Sequence, residues 1–208
     1  MKSVLITMTT WIVRHPKLAT YLPLALFVLS GGMMVAWQSQ RAHLNQVGLD
    51  DFGPVGSFAF VDKDGRAVND HNLQGKVWIA ACFFTCCTES CPQLSGALAR
   101  LQSELADQPD IRLVSLTVDP SNDTPQKLDQ YAASYQAIAE RWIFLTGNED
   151  DVRAFVQDRL HLGVMPNKGP DATPGNRVLH SNKLTLIDRR GIIRGYFDGT
   201  DPAEVGKL

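Results

Sequence analysis

The chain has 208 residues, of which 44% are hydrophobic, and 20 basic against 22 acidic side chains leave a formal charge of −2. No Lys/Arg block stands outside the N-terminal tail, which excludes the electrostatic footprint of a nucleic-acid binder, so no nucleic-acid partner is expected. Neither an internal repeat nor a low-complexity segment is present.

From Leu18 to Gln40 there is no charged residue, and a run of that length is enough to cross a bilayer core of about 30 Å. One transmembrane helix, in contact with membrane lipid, is predicted over 18–40. Lys2, Arg14 and Lys17 lie in the short tail 1–17, while Asp50 and Asp51 follow soon after Arg41, so the positive-inside bias puts the tail in the cytoplasm. The rival is a cleaved signal peptide, whose apolar stretch would be about 7 to 15 residues followed by an Ala-x-Ala type site; none is evident after Trp37. Without a long Arg/Ser-rich transit peptide, the expected place is a bacterial cytoplasmic (inner) membrane, crossed once, with the C-terminal part facing the periplasm or outside. Residues 41–55 read as a linker and 56–208 as one domain of ordinary size.

Within that domain SFAFVDKDGRAV (57–68) alternates and turns at Asp64-Gly65, a hairpin pattern. KVWIAACFF (76–84) is a continuous apolar run, as a strand buried on both faces requires. Pro92 then suits a first helical turn, and Leu94, Leu98, Leu101 and Leu105 recur at helical spacing to about residue 107. IRLVSLTV (111–118) predicts a second buried strand, and DTPQKLDQYAASYQAI a helix capped by Asp123 or Thr124. RWIFLTG (141–147) predicts a third strand and DVRAFVQDRLHLGV (151–164) a third helix. A long Gly/Pro-rich loop over 165–180 leads to two strands around Arg190-Gly191, an edge hairpin. Alternating strands and helices predict a mostly parallel α/β sheet. With cysteines at the start of a helix and a closing hairpin, the layout is thioredoxin-like, and in it the loop bearing His180 lies against the thiol loop.

The stretch FFTCCTESCP (83–92) holds three cysteines in six positions. Cys87 and Cys91 are one residue further apart than in Cys-x-x-Cys oxidoreductases, and the second adjoins the helix-starting proline. Unpaired N–H groups and the helix dipole favour a thiolate there, which either binds metal or attacks a disulfide. Two thiolates with one imidazole suit Cu(I) or Zn(II). Spacing alone leaves metal and redox chemistry both open.

FTCCTESCP resembles the F-T-x-C-x-x-x-C-P motif of the SCO/SenC family of copper chaperones. SLTVDPSNDTPQKLDQYA is similar to that family's S-x-D-P-x-x-D-T-P-x-x-L-x-x-Y stretch, and LHSNKLTLIDRRGIIRGYF to its H-S-x-x-x-x-L-I-D-x-x-G segment. The three matches come in family order over roughly residues 50 to 200. The resemblance implies a membrane-anchored thioredoxin-like protein that delivers copper to the CuA centre of cytochrome c oxidase. Its implied ligands are Cys87, Cys91 and His180, with Cys87 and Cys91 also the redox disulfide pair. The implied partners are the CuA-bearing subunit and an unidentified copper donor, and no catalytic residue or turnover is required.

Cys86 stands where the family has a small residue, and it leaves open which thiol pairs with Cys91. Cys82 is read as a small buried hydrophobe within its strand. Asp119, at the carboxyl end of a strand, is a candidate for orienting His180 or a partner, although Asp-Pro also starts turns. Met165 is read as a core or gap-filling side chain rather than a copper contact. A second class of function, a thiol-disulfide oxidoreductase acting on the cysteines of the CuA site or other extracytoplasmic thiols, needs the same two cysteines but not His180. A peroxidase of the thioredoxin superfamily is the weakest reading, since no T-x-x-C pattern with a basic partner is visible.

Overall fold

The apolar run around Ile79 forms an interior strand of a seven-stranded sheet. The structure, a computed structural model, describes Gly31, Gly32 and residues 50–208. The tail expected at 1–17 and, but for those two glycines, the span expected at 18–40 lie outside the described residues. Among the described residues no helix is long and apolar enough to cross a membrane.

Strand β3, Val77–Phe83, is buried from Trp78 onward, as its unbroken apolar sequence requires. It pairs in parallel with β4 (Ile111–Thr117), which pairs in parallel with β5 (Trp142–Thr146). Strands β1 (Ala59–Asp62) and β2 (Ala67–Asn69) form the expected entry hairpin, with Gly65 at φ 76°, a value that favours glycine, in its turn. Strands β8 (Lys183–Ile187) and β9 (Ile193–Asp198) form the closing hairpin at the sheet edge. The order is β2-β1-β5-β4-β3-β8-β9.

The expectation of a mostly parallel sheet is corrected: two pairings are parallel and four antiparallel. Only the central strands are joined by helical crossovers. Each hairpin adds itself to a flank in the antiparallel sense, β1 against β5 and β8 against β3. The fold is therefore mixed α/β and thioredoxin-like.

Helix α1 is the single turn Asp70–Leu73, and α2 runs Cys91–Glu104 with its proline in the first turn. Helix α2 buries Leu94, Leu98 and Leu101, the stripe that the leucine spacing predicts. Burying such a side chain fully contributes about 1.5–3 kcal/mol, more than a surface ion pair's roughly 0–1 kcal/mol, so the core and not the charged rim holds this fold. Helix α3 (Pro125–Ser134) is capped by the Thr124 side chain, which accepts from the Lys127 N–H.

The third long helix is shorter than expected over 151–164. Helix α4 (Glu149–Ala154) starts two residues earlier because Asn148 caps it, continues as a π-helical turn, Phe155–Arg159, and stops as His161 enters the left-handed region at φ 54°. The segment 165–180, expected as a loop, contains a two-stranded ribbon: β6 (Val164–Pro166) pairs antiparallel with β7 (Val178–His180). His180 is thus a strand residue. The one-turn helix α5 (Pro202–Val205) ends the domain.

The last residues of the segment 41–55, expected as a linker, are tied to the closing hairpin. Phe52 donates to the Ile193 carbonyl at 3.1 Å and Val55 to that of Gly191 at 2.9 Å.

Candidate metal centre

Strand β3 carries the chain to the carboxyl end of the parallel strands, where open α/β sheets place their ligand groups. Just past the buried Phe84, Thr85 is fixed by Asp123, a carboxylate with 0% exposure. Asp123 Oδ2 accepts from the Thr85 N–H at 3.0 Å, its Oδ1 takes the Thr85 hydroxyl, and the Thr117 hydroxyl also donates to Oδ2. One buried carboxylate therefore ties the end of β3 to the end of β4. The Cys87 N–H returns to the Phe84 carbonyl at 3.2 Å and tightens the thiol loop.

Cys91 is the first residue of α2, and the Ser90 side chain makes no cap hydrogen bond. The backbone N–H groups of Cys91 and Glu89 lie near the Cys87 sulfur and favour its thiolate. Across the loop, β7 brings His180 in, with Nε2 3.2 Å from Cys91 Sγ. The imidazole stands edge-on to Phe84 with ring centroids 5.8 Å apart. His180 Nδ1 lies 3.0 Å from the Ser181 carbonyl, which can only accept, so Nδ1 carries the proton and Nε2 presents its lone pair to the sulfurs.

The ligand atoms of Cys87, Cys91 and His180 all lie within 4.8 Å of one another. All four cysteines are free, so the pair is a dithiol. The neighbouring Cys91 thiol and the backbone N–H groups of Cys91 and Glu89 hold Cys87 well below the usual thiol range. Cys91 is pushed up, first by the Cys87 sulfur beside it and then by burial. The site thus pairs a half-buried Cys87 that favours the thiolate with a buried Cys91 that favours the thiol.

The donor set fits a soft metal ion. With metal–sulfur and metal–nitrogen bonds of about 2.3 and 2.0 Å, the 3.2 Å between Cys91 Sγ and His180 Nε2 spans roughly 95° at one ion. Neither donor needs to swing away for the other to bind.

The remaining candidates separate. Cys82 is wholly buried, as a packing residue should be, and burial pushes its thiol up to about 12. Cys86 is exposed and lies outside the three-ligand group. Met165 is 58% exposed rather than core-filling, because a three-residue ribbon covers only one of its sides. Asp119 does not orient His180 directly: Ser181 fills that role, and Asp119 faces Arg177 instead, 3.2 Å from its Nε. The sequence reading missed Asp123 as a buried anchor, because Asp-Thr-Pro looks like a helix cap. It also missed Gly175, whose carbonyl accepts from the Thr88 N–H at 3.2 Å and pins the segment before β7 to the thiol loop.

The family model described as SCO1/SenC matches residues 50–206. The chain belongs to the SCO1/SenC family. Among family relatives, the SCO1 protein homolog of Bacillus subtilis is 32% identical over 149 residues, 71% of this chain and 75% of that protein. The solved structure of BsSco, a member of the Sco family of cytochrome c oxidase assembly proteins in which a disulfide switch is identified, is 30% identical. It superposes with a TM-score of 0.63 over 73% of this chain and 87% of that one. Copper-bound ScoI of Bradyrhizobium japonicum is 25% identical, with a TM-score of 0.54 over 73% of this chain and 97% of that one.

Proposed function

We propose that this chain is a copper carrier that serves cytochrome c oxidase assembly. The observation that carries the reading is the convergence of Cys87, Cys91 and His180 within 4.8 Å of one another, in the family of a copper-bound relative. Two thiolates and an imidazole are the donors a soft Cu(I) ion takes, and copper here is cargo rather than a resident cofactor.

Cys87 arrives as a thiolate. His180 offers Nε2 because Ser181 holds its proton on Nδ1. Only Cys91 must lose a proton on loading, and copper uptake releases it. The half-buried Cys87 is the natural point at which cysteines of an acceptor begin a stepwise ligand exchange, and the CuA-bearing subunit of the oxidase is the proposed acceptor. A membrane anchor at 18–40 would keep the domain on the outer side of a bacterial cytoplasmic membrane, near that subunit and its own copper donor.

The carrier reading is tested by copper content. The full chain, its thiols reduced and Cu(I) supplied without oxygen, is expected to hold one copper ion, lost or greatly weakened in His180→Ala. No uptake by the wild type, or equal uptake by the variant, would overturn it.

One observation favours a second reading, reduction of a partner disulfide. A half-exposed Cys87 thiolate beside a buried Cys91 thiol is the arrangement of an attacking and a resolving cysteine. Cys87 would attack a partner disulfide, and Cys91 would then displace the partner, leaving Cys87–Cys91 oxidised and the partner a dithiol. His180→Ala would retain that activity.

A further inference from the structure

His180 stands on a piece of the molecule that the main sheet does not hold. The ribbon of β6 and β7 is a separate two-stranded sheet. Its position depends on ties made just before β7. Gly175 gives its carbonyl to the Thr88 N–H, and Arg177 gives its own carbonyl to the Asn167 N–H at 2.8 Å, which extends the ribbon ladder by one pair.

Arg177 has a second partner. Asp119 projects from the end of β4 with 7% exposure, and its Oδ1 accepts from the Asn122 side chain at 2.8 Å. Its Oδ2 lies 3.2 Å from Arg177 Nε, yet that N–H is donated to the Pro174 carbonyl. Oδ2 is therefore a buried carboxylate oxygen without a hydrogen bond, compensated by the guanidinium charge alone. Such a pair is costly to break because the carboxylate left behind stays buried and uncompensated. The charge contact also reaches from the sheet body to a residue three positions before His180.

We propose that Asp119 and Arg177 are positioning residues for His180: their charge contact pins the ribbon so that Nε2 stands over the two thiols. Asp119 thus acts on the imidazole through Arg177 and the strand that follows. The metal arm of the test rests on the copper reading; the other arm does not.

The test uses the full chain, reduced, as wild type, Arg177→Ala, Asp119→Asn and His180→Ala. Without metal, the rate at which diethyl pyrocarbonate acylates His180, read on the peptide bearing it, should rise several-fold in Arg177→Ala and in Asp119→Asn. With Cu(I), affinity should fall about 10- to 100-fold in both, as when an outer partner of a metal ligand is lost. Arg177→Ala combined with His180→Ala should bind no more weakly than His180→Ala alone, because both changes remove one interaction.

The proposal is overturned if folded Arg177→Ala is acylated at the wild-type rate and binds copper within about twofold of wild type, or if its loss adds in full to that of His180→Ala. Should Arg177→Ala fail to fold, Asp119→Asn, which removes only the charge, is judged by the same acylation rate and copper affinity. A wild type that takes up no copper would remove the carrier reading, while acylation would still decide the positioning claim.

Discussion

The two halves of the metal centre are built differently. Cys87 and Cys91 sit where β3 meets α2, among wholly buried side chains such as Phe84 and Leu94, with Asp123 tying the loop to β4. His180 rides on a ribbon of three-residue strands that lies outside the seven-stranded sheet. The thiols therefore inherit the rigidity of the core, whereas the imidazole is placed by a few specific contacts. One side of the site is thus held by the core, while the other depends on contacts that a single substitution can remove.

The comparison is broken most completely on the firm side. Cys91→Ser removes a donor that no mobile neighbour replaces, and copper retention after gel filtration should fall to background although the fold persists by circular dichroism. Next comes Asp123→Ala, which strands the buried Thr117 hydroxyl and the half-buried Thr85 donors. About 3 kcal/mol of stability, or roughly 10 °C in Tm, should be lost in a thermal melt.

On the soft side the expected effect is smaller and reversible. A Cβ on Gly175 would stand 2.6 Å from Thr88 Oγ1, so Gly175→Ala should push the ribbon off and weaken copper binding about tenfold, while Thr88→Ala in the same chain should restore it. Titration sharpens the same contrast. Because the folded-state pKa of Cys87 lies below its unfolded value, its ionisation stabilises the fold fully above the unfolded thiol range near about 8.5. That stabilisation is lost only as pH falls through the folded value. The thiolate absorbance of the reduced, metal-free chain should accordingly persist well into the acid range, and Cys87→Ser should abolish it. Cys86→Ser, altering an exposed thiol outside the ligand group, should leave copper affinity within about twofold.

Much of this was legible in the sequence because the decisive elements are local. The apolar run of β3, the leucine stripe of α2 and the spacing of Cys87 and Cys91 announce a strand, a thiol loop and a helix. Sheet polarity was not legible, since nothing in SFAFVDKDGRAV says that β1 will pair with β5 from the opposite direction. The ribbon escaped for a related reason: Val164–Pro166 and Val178–His180 are too short for an alternation to register, and Pro166 argues against a strand. The end of α4 depends on a left-handed His161 that helical periodicity does not encode. Asp119 and Asp123 look alike in sequence, as turn and cap residues. Only the packing shows that one anchors the thiol loop and the other faces the arginine ahead of His180.

Cys82 offers a different use of the structure. It is paired opposite Leu116 in the middle of the sheet, with no surface open to solvent and a thiol that ionises only near 12. An alkylating reagent at neutral pH reaches it only when β3 has parted from its neighbours. The rate at which this one sulfur is labelled is a built-in clock for the opening of the central sheet, and it runs without any probe having to be introduced.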